Sequence, residues 1–377
     1  MTIGEAKPGA GPAEPIRIAI VGTGNIARIH AAALGQAAAP GTASIVAAAD
    51  VDDGRLGAFR DEFGIPASYR DLGDLLGAER PDLVHVCTPP SIHRQQALAC
   101  LRSGASVLVE KPPTISLREF DELVAAEGAD DGPPWFATVF QHRFGSAQRH
   151  LKALTAAEPA VLGRPLVAIC HTTWFRDQAY FDVDWRGRWE TEGGGPTMGH
   201  GIHQMDMLLD VLGDWTEVSA VARTQARRMR TEDVSLAHVT FASGAVASVV
   251  NSVLSPREES YLRFDFERAT AEVTHLYGYT DDDWRVTAAP GHEQDVVAAW
   301  KHASGGTKSG HAAQFREVLA ALSSGRRPPV SPAESRRTMA LVAAIYASAF
   351  TRRPVTPDDL ASGTPFYNQM NGGMSSW

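Results

Sequence analysis

The sequence predicts an α/β protein in two parts: an N-terminal doubly wound parallel sheet, then a C-terminal α+β part whose strands pair mainly antiparallel. Three observations carry this. First, the apolar run Ile16-Arg17-Ile18-Ala19-Ile20-Val21 leads straight into Gly22-Thr23-Gly24-Asn25-Ile26-Ala27, a G-x-G-x-x-A turn that opens a helix-like segment. Second, strand-like and helix-like segments alternate from there to about residue 145, the spacing of right-handed crossovers. Third, from Leu162-Gly163-Arg164-Pro165 onward the strands lengthen and no crossover helices separate them.

The strand at 16–21 and the helix at 25–34 frame a dinucleotide site. Gly22 permits the tight turn, Gly24 lets backbone amides approach a pyrophosphate, and Ala27 is small enough for helix-on-strand contact. The next strand, Ala43 to Ala49, ends in Asp50, about where a ribose-binding carboxylate belongs. A carboxylate there accepts from ribose hydroxyls and repels a 2′-phosphate, which favours NAD over NADP. Asp50 would equally start the Asp50-Val51-Asp52-Asp53-Gly54 turn, and Arg55 just beyond it offers a cation to a 2′-phosphate.

Leu83 to Thr88 is a further strand closed by Pro89-Pro90, and a helix over 92–101 returns to a strand over 105–110. That strand stops at Glu110-Lys111-Pro112-Pro113. In an open parallel sheet the ligand lies beyond the carboxyl ends of the strands, so Thr88, Pro89 and Lys111 face the same crevice as the glycines. The bland alternative for Lys111 is a solvated lysine capping a strand before a proline turn. Ser116-Leu117-Arg118-Glu119 is a capping box, and 135–140 reads as the last strand of this part.

In the second part, strands are expected over 217–226, 233–242 and 245–254, the last two joined by Ser243-Gly244. Helices are expected over 312–322 and 333–350. One helix is framed between Pro196 and Gly213, with Met198, Ile202, Met205, Leu209 and Leu212 on one apolar stripe. His203 lies roughly 140° from that stripe, so it is not simply a core histidine; the glycine-rich approach favours a cleft, with a solvated surface position as the alternative. His200, His203 and Asp206 suggest a metal set at first sight, but successive steps of three leave His200 and Asp206 about 120° apart, so no metal is expected. Trp174, Tyr180, Trp185 and Arg186 form an aromatic and polar loop of the kind that binds sugars, and would serve equally as core aromatics with a surface arginine.

Composition narrows the function. With 377 residues, 44% hydrophobic and 21% charged, the chain suits two globular domains with proper cores, and its net charge of -9 disfavours a nucleic-acid partner. Three cysteines without C-x-x-C spacing read as buried free thiols in a reducing compartment; no apolar run has the length of a membrane span, and residues 1–14 read as a flexible tail without a signal-peptide core. A cytoplasmic protein is expected.

Four motifs together, G-x-G-x-x-A, Thr88-Pro89-Pro90-Ser91-Ile92-His93, Glu110-Lys111-Pro112 and Gln141-His142-Arg143-Phe144, resemble the Gfo/Idh/MocA family over about residues 16–356. The resemblance implies a Rossmann domain over 15–145 and, over 146–377, a substrate-binding and oligomerisation domain with a large open, mainly antiparallel sheet. It implies oxidation or reduction of a sugar or cyclitol carbon with bound NAD(P), with Lys111 beside the nicotinamide and the reacting oxygen. Lys111 and His203 are the expected catalytic residues. The cofactor is expected against Gly22, Thr23, Gly24, Asn25, Ile26, Asp50, Thr88, Pro89, His93, Glu110 and Lys111, and the substrate against Lys111, Arg143, Trp174, Tyr180, Trp185, Arg186, His200 and His203. The family places an aspartate one turn before its histidine, where this chain has Gly199; Asp206, Asp182, Asp184 or His200 is then left to orient His203. Without that aspartate, the lower limb of a pH profile is expected near the free imidazole value of about 6.5. The expected reaction is NAD-dependent hydride transfer from a secondary alcohol of a sugar, cyclitol or polyol, in a homodimer or homotetramer built through the uncovered sheet face. A glycosidase using transient oxidation by NAD, or a non-enzymatic dinucleotide-binding regulator, are the alternatives; a regulator would be expected to have lost the lysine.

Overall fold

The computed structural model describes residues 14–128, 132–157, 160–301, 305–375 and 377. The tail expected at 1–14 lies, apart from Glu14, outside the described residues.

The first sheet has six parallel strands: β1 (Ile16–Val21), β2 (Ala43–Ala49), β3 (Ala67–Tyr69), β4 (Leu83–Val86), β5 (Ser106–Val109) and β6 (Phe136–Thr138). Their spatial order is β3-β2-β1-β4-β5-β6, which reverses direction at β1 and so opens a crevice between the ends of β1 and β4. The crossover helices are α1 (Asn25–Ala37), α2 (Asp53–Phe63), α3 (Leu72–Glu79), α4 (Pro90–Arg102) and α5 (Leu117–Val124). The three-residue β3 carries no readable alternation, and the expected strand at 135–140 contracts to three residues. Ser116 Oγ caps α5 through the Glu119 amide at 3.2 Å, whereas the Glu119 carboxylate reaches Ile115 N rather than closing the box on Ser116.

After α6 (Ser146–Ala156), β7 (Pro165–Phe175), α7 (Gln178–Phe181), α8 (Pro196–Gly199) and α9 (Ile202–Leu212), the chain builds most of a second sheet. Its strands are β8 (Trp215–Arg223), β9 (Val234–Phe241), β10 (Val246–Ser252), β11 (Leu254–Phe266), β12 (Ala269–His275) and β13 (Trp284–Ala288), ordered with β7 as β13-β12-β11-β7-β10-β9-β8. Every neighbour pair is antiparallel except β7 with β10, which run parallel from Val167 opposite Val246 to Thr173 opposite Ser252. One face is buried under α9 and α12 (Pro332–Thr351).

Two departures matter for the site. The helix expected between Pro196 and Gly213 is two helices, broken at His200-Gly201. The departure from helical dihedrals is at His200, φ -120° and ψ -54°, and the next residue packs so closely on Asn251 of β10 that only glycine fits there. The second concerns α11 (His311–Ser323), which follows α10 (Glu293–Lys301) and packs on α1, with Phe315, Val318 and Leu319 joining the core of Ile18, Ile20 and Ala27. The chain thus returns to the first sheet from the far end of the sequence.

Candidate active site

The crevice side is built by β1, β4 and β5. Gly22 has φ 83°, and a Cβ there would stand 2.8 Å from the Cys87 carbonyl oxygen and 2.8 Å from Thr88 Cγ2, so the turn admits only glycine. Gly24 caps α1 with no side chain over it and nothing within 4 Å of where a Cβ would be. Open amides at a helix amino end are an anion site, so the residues present fit a dinucleotide pyrophosphate. Asp50 Oδ2 accepts from Thr23 N at 2.8 Å and Thr23 Oγ1 at 2.9 Å, and Oδ1 accepts from Asp52 N at 2.9 Å with Arg55 Nη2 at 3.4 Å. Burial pulls the Asp50 pKa up, but the Asp52 and Thr23 amides, the Thr23 hydroxyl and Arg55 outweigh it and hold the carboxyl below its usual value. Asp50 thus starts the turn, as one of its two sequence readings has it, and its carboxylate stands beside the glycine loop, where the ribose reading needs it.

Not every residue expected on the cofactor points into the crevice. His93 is buried, with Nδ1 2.9 Å from Pro112 O and Nε2 2.7 Å from Thr88 O, so it staples the two crevice turns together. Thr88 Oγ1 donates to Gln96 Oε1 at 2.6 Å. The Glu110 carboxylate turns inward: Oε1 sits 2.8 Å from His30 Nε2 and 3.4 Å from His311 Nε2, and Oε2 accepts from Lys111 N at 3.1 Å. Burial pulls Glu110 up, yet the two histidines draw its pKa well below the usual value. His30, Glu110 and His311 are also the one group among the described residues that places three potential metal-ligand atoms within 4.8 Å of one another.

Lys111 is the bridge between the two sheets. Its Nζ donates to the Gly199 carbonyl at 3.0 Å, an oxygen that the break between α8 and α9 exposes. Burial lowers the Lys111 pKa, Glu110 and Glu192 work against that, and Arg186 and Arg176 reinforce it.

The opposite wall carries His200 and His203. His203 is only 5% exposed and stacks on His142, ring centroids 4.5 Å apart at 24°. The expected cleft-facing histidine is thus covered within this structure, and its Nδ1 has no hydrogen-bond partner. Burial first, then His142 and Lys111, drive its pKa well below 6.5, which corrects the expectation of a limb near the free imidazole value. His200 Nε2 faces the Tyr180 hydroxyl at 3.3 Å, its Nδ1 is also without a partner, and burial with Lys111, Arg176 and Arg186 lowers it strongly.

Around them lies the aromatic loop. Arg186 Cζ stands 3.9 Å from the Tyr180 ring centroid and 4.2 Å from that of Trp185, and Nη1 donates to the Tyr180 hydroxyl. Trp174 is buried, its Nε1 donating to Ser260 Oγ at 3.1 Å and its ring edge-on to His200 at 5.3 Å. Arg176 and Tyr277, unremarked in the sequence, complete the group: Arg176 Nη2 donates to Tyr277 Oη at 2.8 Å and its Cζ lies 5.0 Å from the Trp174 centroid.

Arg143 does not join this wall. Its guanidinium is buried against Asp206 at 2.5 and 2.6 Å, Asp210 at 3.1 Å and Glu334 at 2.8 Å, which corrects its placement as a substrate residue. The same pairing removes Asp206 as an orienting partner for His203. Asp182 and Asp184 are exposed, and Asp182 Oδ1 accepts from Gln178 Nε2, so neither serves that role. The carboxylate nearest the gap is one the sequence reading passed over. Glu192 is 4% exposed, and, apart from the neighbouring residues of Gly199's own helix, its Oε1 is what a Cβ built on Gly199 would meet, at 3.6 Å. Its place directly before Gly193-Gly194-Gly195 was the available signal.

Comparison with known proteins agrees with both halves. The family described as "Oxidoreductase family, NAD-binding Rossmann fold" matches residues 16–131, and the "GFO/IDH/MocA C-terminal domain" matches residues 150–273. The chain is 26% identical over 352 residues to a D-apiose dehydrogenase of Paraburkholderia graminis, covering 88% of each chain. It is 25% identical to a D-glucoside 3-dehydrogenase of Escherichia coli, covering 89% of this chain and 96% of that one. Among solved structures, the WlbA dehydrogenase of Chromobacterium violaceum in complex with NADH and UDP-GlcNAcA superposes with a TM-score of 0.78 at 26% identity, over 92% of this chain and 96% of the other.

Proposed function

The chain belongs to the Gfo/Idh/MocA family of NAD-binding oxidoreductases, and on that premise we propose that it transfers hydride between nicotinamide and a secondary alcohol carbon of a sugar, cyclitol or related polyol. The observation that carries this reading is the position of Lys111: an amine of lowered pKa at the carboxyl end of β5, held on the Gly199 carbonyl opposite an Arg and aromatic wall. The relatives named above act on sugars or hold NADH with a sugar nucleotide, which supports the same substrate class.

The chemistry splits between cofactor and protein. A bound nicotinamide supplies the hydride acceptor. The protein's share is to fix the alcohol and to manage its proton. Lys111 meets the oxygen where charge develops, and His203, neutral by burial, has the protonation state of a base. Trp174, Tyr180 and Trp185 offer apolar faces to sugar C–H groups, while Arg186 and His200 offer polar ones. NAD is the preferred cofactor, on the strength of the charged Asp50 at the glycine loop.

We further propose a homodimer or homotetramer formed through the second sheet. Leu166, Val167, Phe175, Val221, Leu236 and Val246, on β7 to β10, are all at least 40% exposed, an apolar load that a lone subunit rarely leaves in water. Light scattering giving a monomer at micromolar concentration would remove this part of the proposal.

The direct test has two steps. Native mass spectrometry identifies any copurified dinucleotide, and a panel of sugars, cyclitols and polyols is then followed by NADH absorbance. Turnover of one or more secondary alcohols is the expected result; an inert panel with dinucleotide bound would tell against the dehydrogenase reading.

A further inference from the structure

We propose that Glu192 is the carboxylate partner of Lys111, reaching in from the loop before α8 to fill the place of the side chain that residue 199 lacks. The inference rests on the reading of Lys111 as the amine at the reacting centre.

Gly199 stands between the two side chains. Its carbonyl holds Lys111 Nζ at 3.0 Å, and beyond its own helix the space where its side chain would project meets Glu192 Oε1, at 3.6 Å. A side chain at 199 would therefore grow toward the position that Glu192 already occupies. Glu192 is fixed there by its other oxygen, which accepts from Gly187 N at 2.6 Å. Oε1 itself has only a long contact, 3.4 Å from Arg186 Nη1. A buried carboxylate with one oxygen anchored and the other turned to a crevice has spare acceptor capacity that folding alone does not require.

The charges facing the pair come from every surrounding element. Lys111 feels Glu110 beside it, Arg186 and Arg176 from the aromatic loop and β7 end, and Glu192; it in turn acts on His200, His203 and His142. Glu192 feels Arg186 and Lys111, with burial raising its pKa and the Gly187 amide and those two cations opposing that rise. Glu110, the stronger influence on the amine, is shared with His30 and His311; Glu192 makes no ion pair with Lys111 within 4.0 Å and acts on it through space from beside Gly199. As an anion it holds the ammonium form of Lys111 and so limits how far burial can lower that amine. In alcohol oxidation the O–H bond breaks as the C–H pair leaves for the nicotinamide and the C=O forms. Glu192 sets how readily the amine at that oxygen gives up or receives the proton; it is a positioning residue, acting through Lys111.

The test reads Lys111 directly and needs no turnover. The pH dependence of Lys111 acetylation by acetic anhydride, followed by peptide mass spectrometry, is measured in the wild type, in Glu192→Gln and in Glu192→Gln with Gly199→Asp. Gln keeps an oxygen for the Gly187 amide, so the loop anchor survives. The expected result is a fall of about one unit in the apparent Lys111 pKa in the single variant, a roughly tenfold gain in free amine below it, and recovery of most of that shift in the double variant. An unchanged labelling profile in Glu192→Gln overturns the inference, and so does a shift that Gly199→Asp fails to reverse, because the residue would then act through loop structure alone. An inert substrate panel alongside the expected labelling shifts would count against the dehydrogenase reading and leave the pairing intact. A working panel with unshifted labelling would do the reverse.

Discussion

Helix α9 and the break before it serve two buried polar clusters built by opposite rules. On one side Arg143 is saturated: Asp206 takes two of its nitrogens, Asp210 and Glu334 share the third, Thr338 Oγ1 donates a second bond to Asp206 Oδ1 at 3.0 Å, and Gln148 Nε2 donates to Asp210 Oδ2 at 3.3 Å. On the other side are groups held in place but incompletely answered. His200 and His203 each have a bare Nδ1, Glu192 keeps one oxygen nearly free, and Lys111 rests on a single carbonyl. Both clusters contain charged groups that burial makes expensive, but in the first every charge is paired and the bare atom is an amide oxygen, Gln148 Oε1, whereas the second leaves imidazole nitrogens bare and its ammonium without a carboxylate at ion-pair distance among the described residues. We read paired charges here as the mark of scaffold and unpaired ones as the mark of the proposed site.

The sharpest way to break the contrast is to substitute one member of each cluster. Lys111→Met keeps length and burial while removing the amine, and is expected to lower kcat by about two to four orders of magnitude with dinucleotide affinity nearly intact. Steady-state rates together with fluorescence titration of NADH separate the two effects. Unchanged turnover would remove Lys111 from the chemistry.

In the saturated cluster the loss should fall on the fold. Arg143→Met leaves three carboxylates around an uncharged side chain, and should cost about 3–5 kcal/mol of stability by urea unfolding. Glu192→Gln, which removes a charge but no anchoring oxygen, should cost about 1 kcal/mol or less. If the two variants were equally stable, saturation would not distinguish scaffold from site.

How much of this was legible in the sequence follows the same division. The glycine turn, Asp50 and Lys111 were readable because a strand, a forced turn and a strand end each fix their neighbours locally. The second sheet was readable as strands, but its parallel β7–β10 pair was not, since pairing direction depends on contacts far apart in the chain. Arg143 looked like a substrate residue because its partners Asp206, Asp210 and Glu334 lie 63 to 191 residues away. Likewise the position of His203 relied on one unbroken helix, and the break at His200 lies where the next residue packs against Asn251 on a distant strand. Glu192 was hidden for a related reason: its role depends on what stands opposite Gly199, which spacing cannot report.

The histidines give a pH test of the burial that the sequence did not foresee. His85, His142, His200 and His203 are held well below 6.5 chiefly by burial, and His275 is lowered to about 4. A histidine kept neutral in the fold but free to protonate when unfolded contributes stability that is full above about pH 6.5 and drains as pH falls toward the folded value. At pH 5 His275 alone should forfeit about 2 kcal/mol. Tm should therefore drop steadily from pH 7 to pH 5, and His275→Gln should flatten part of that slope. A flat profile over this window would mean that these rings are open to water and that the second cluster is less buried than its geometry indicates.

The smallest expected effect sharpens the comparison at the cofactor end, where Asp50 belongs to both classes at once. Its Oδ2 is saturated by Thr23, as in a scaffold, while Oδ1 accepts from Asp52 N and, at 3.4 Å, from the exposed Arg55. A 2′-phosphate brought here meets a carboxylate that its hydrogen bonds keep ionised, so NAD should bind about tenfold more tightly than NADP, roughly 1.4 kcal/mol. Asp50→Asn keeps an acceptor for the Thr23 amide but removes the charge, and should bring the two affinities close to parity with little loss for NAD. Arg55→Ala should move the ratio the other way, by removing the cation available to a 2′-phosphate. Isothermal titration with both dinucleotides measures all three. Equal affinities in the wild type would show that Arg55 already offsets Asp50; a collapse of NAD binding in Asp50→Asn would show that the carboxylate acts on the glycine loop and not on the ribose.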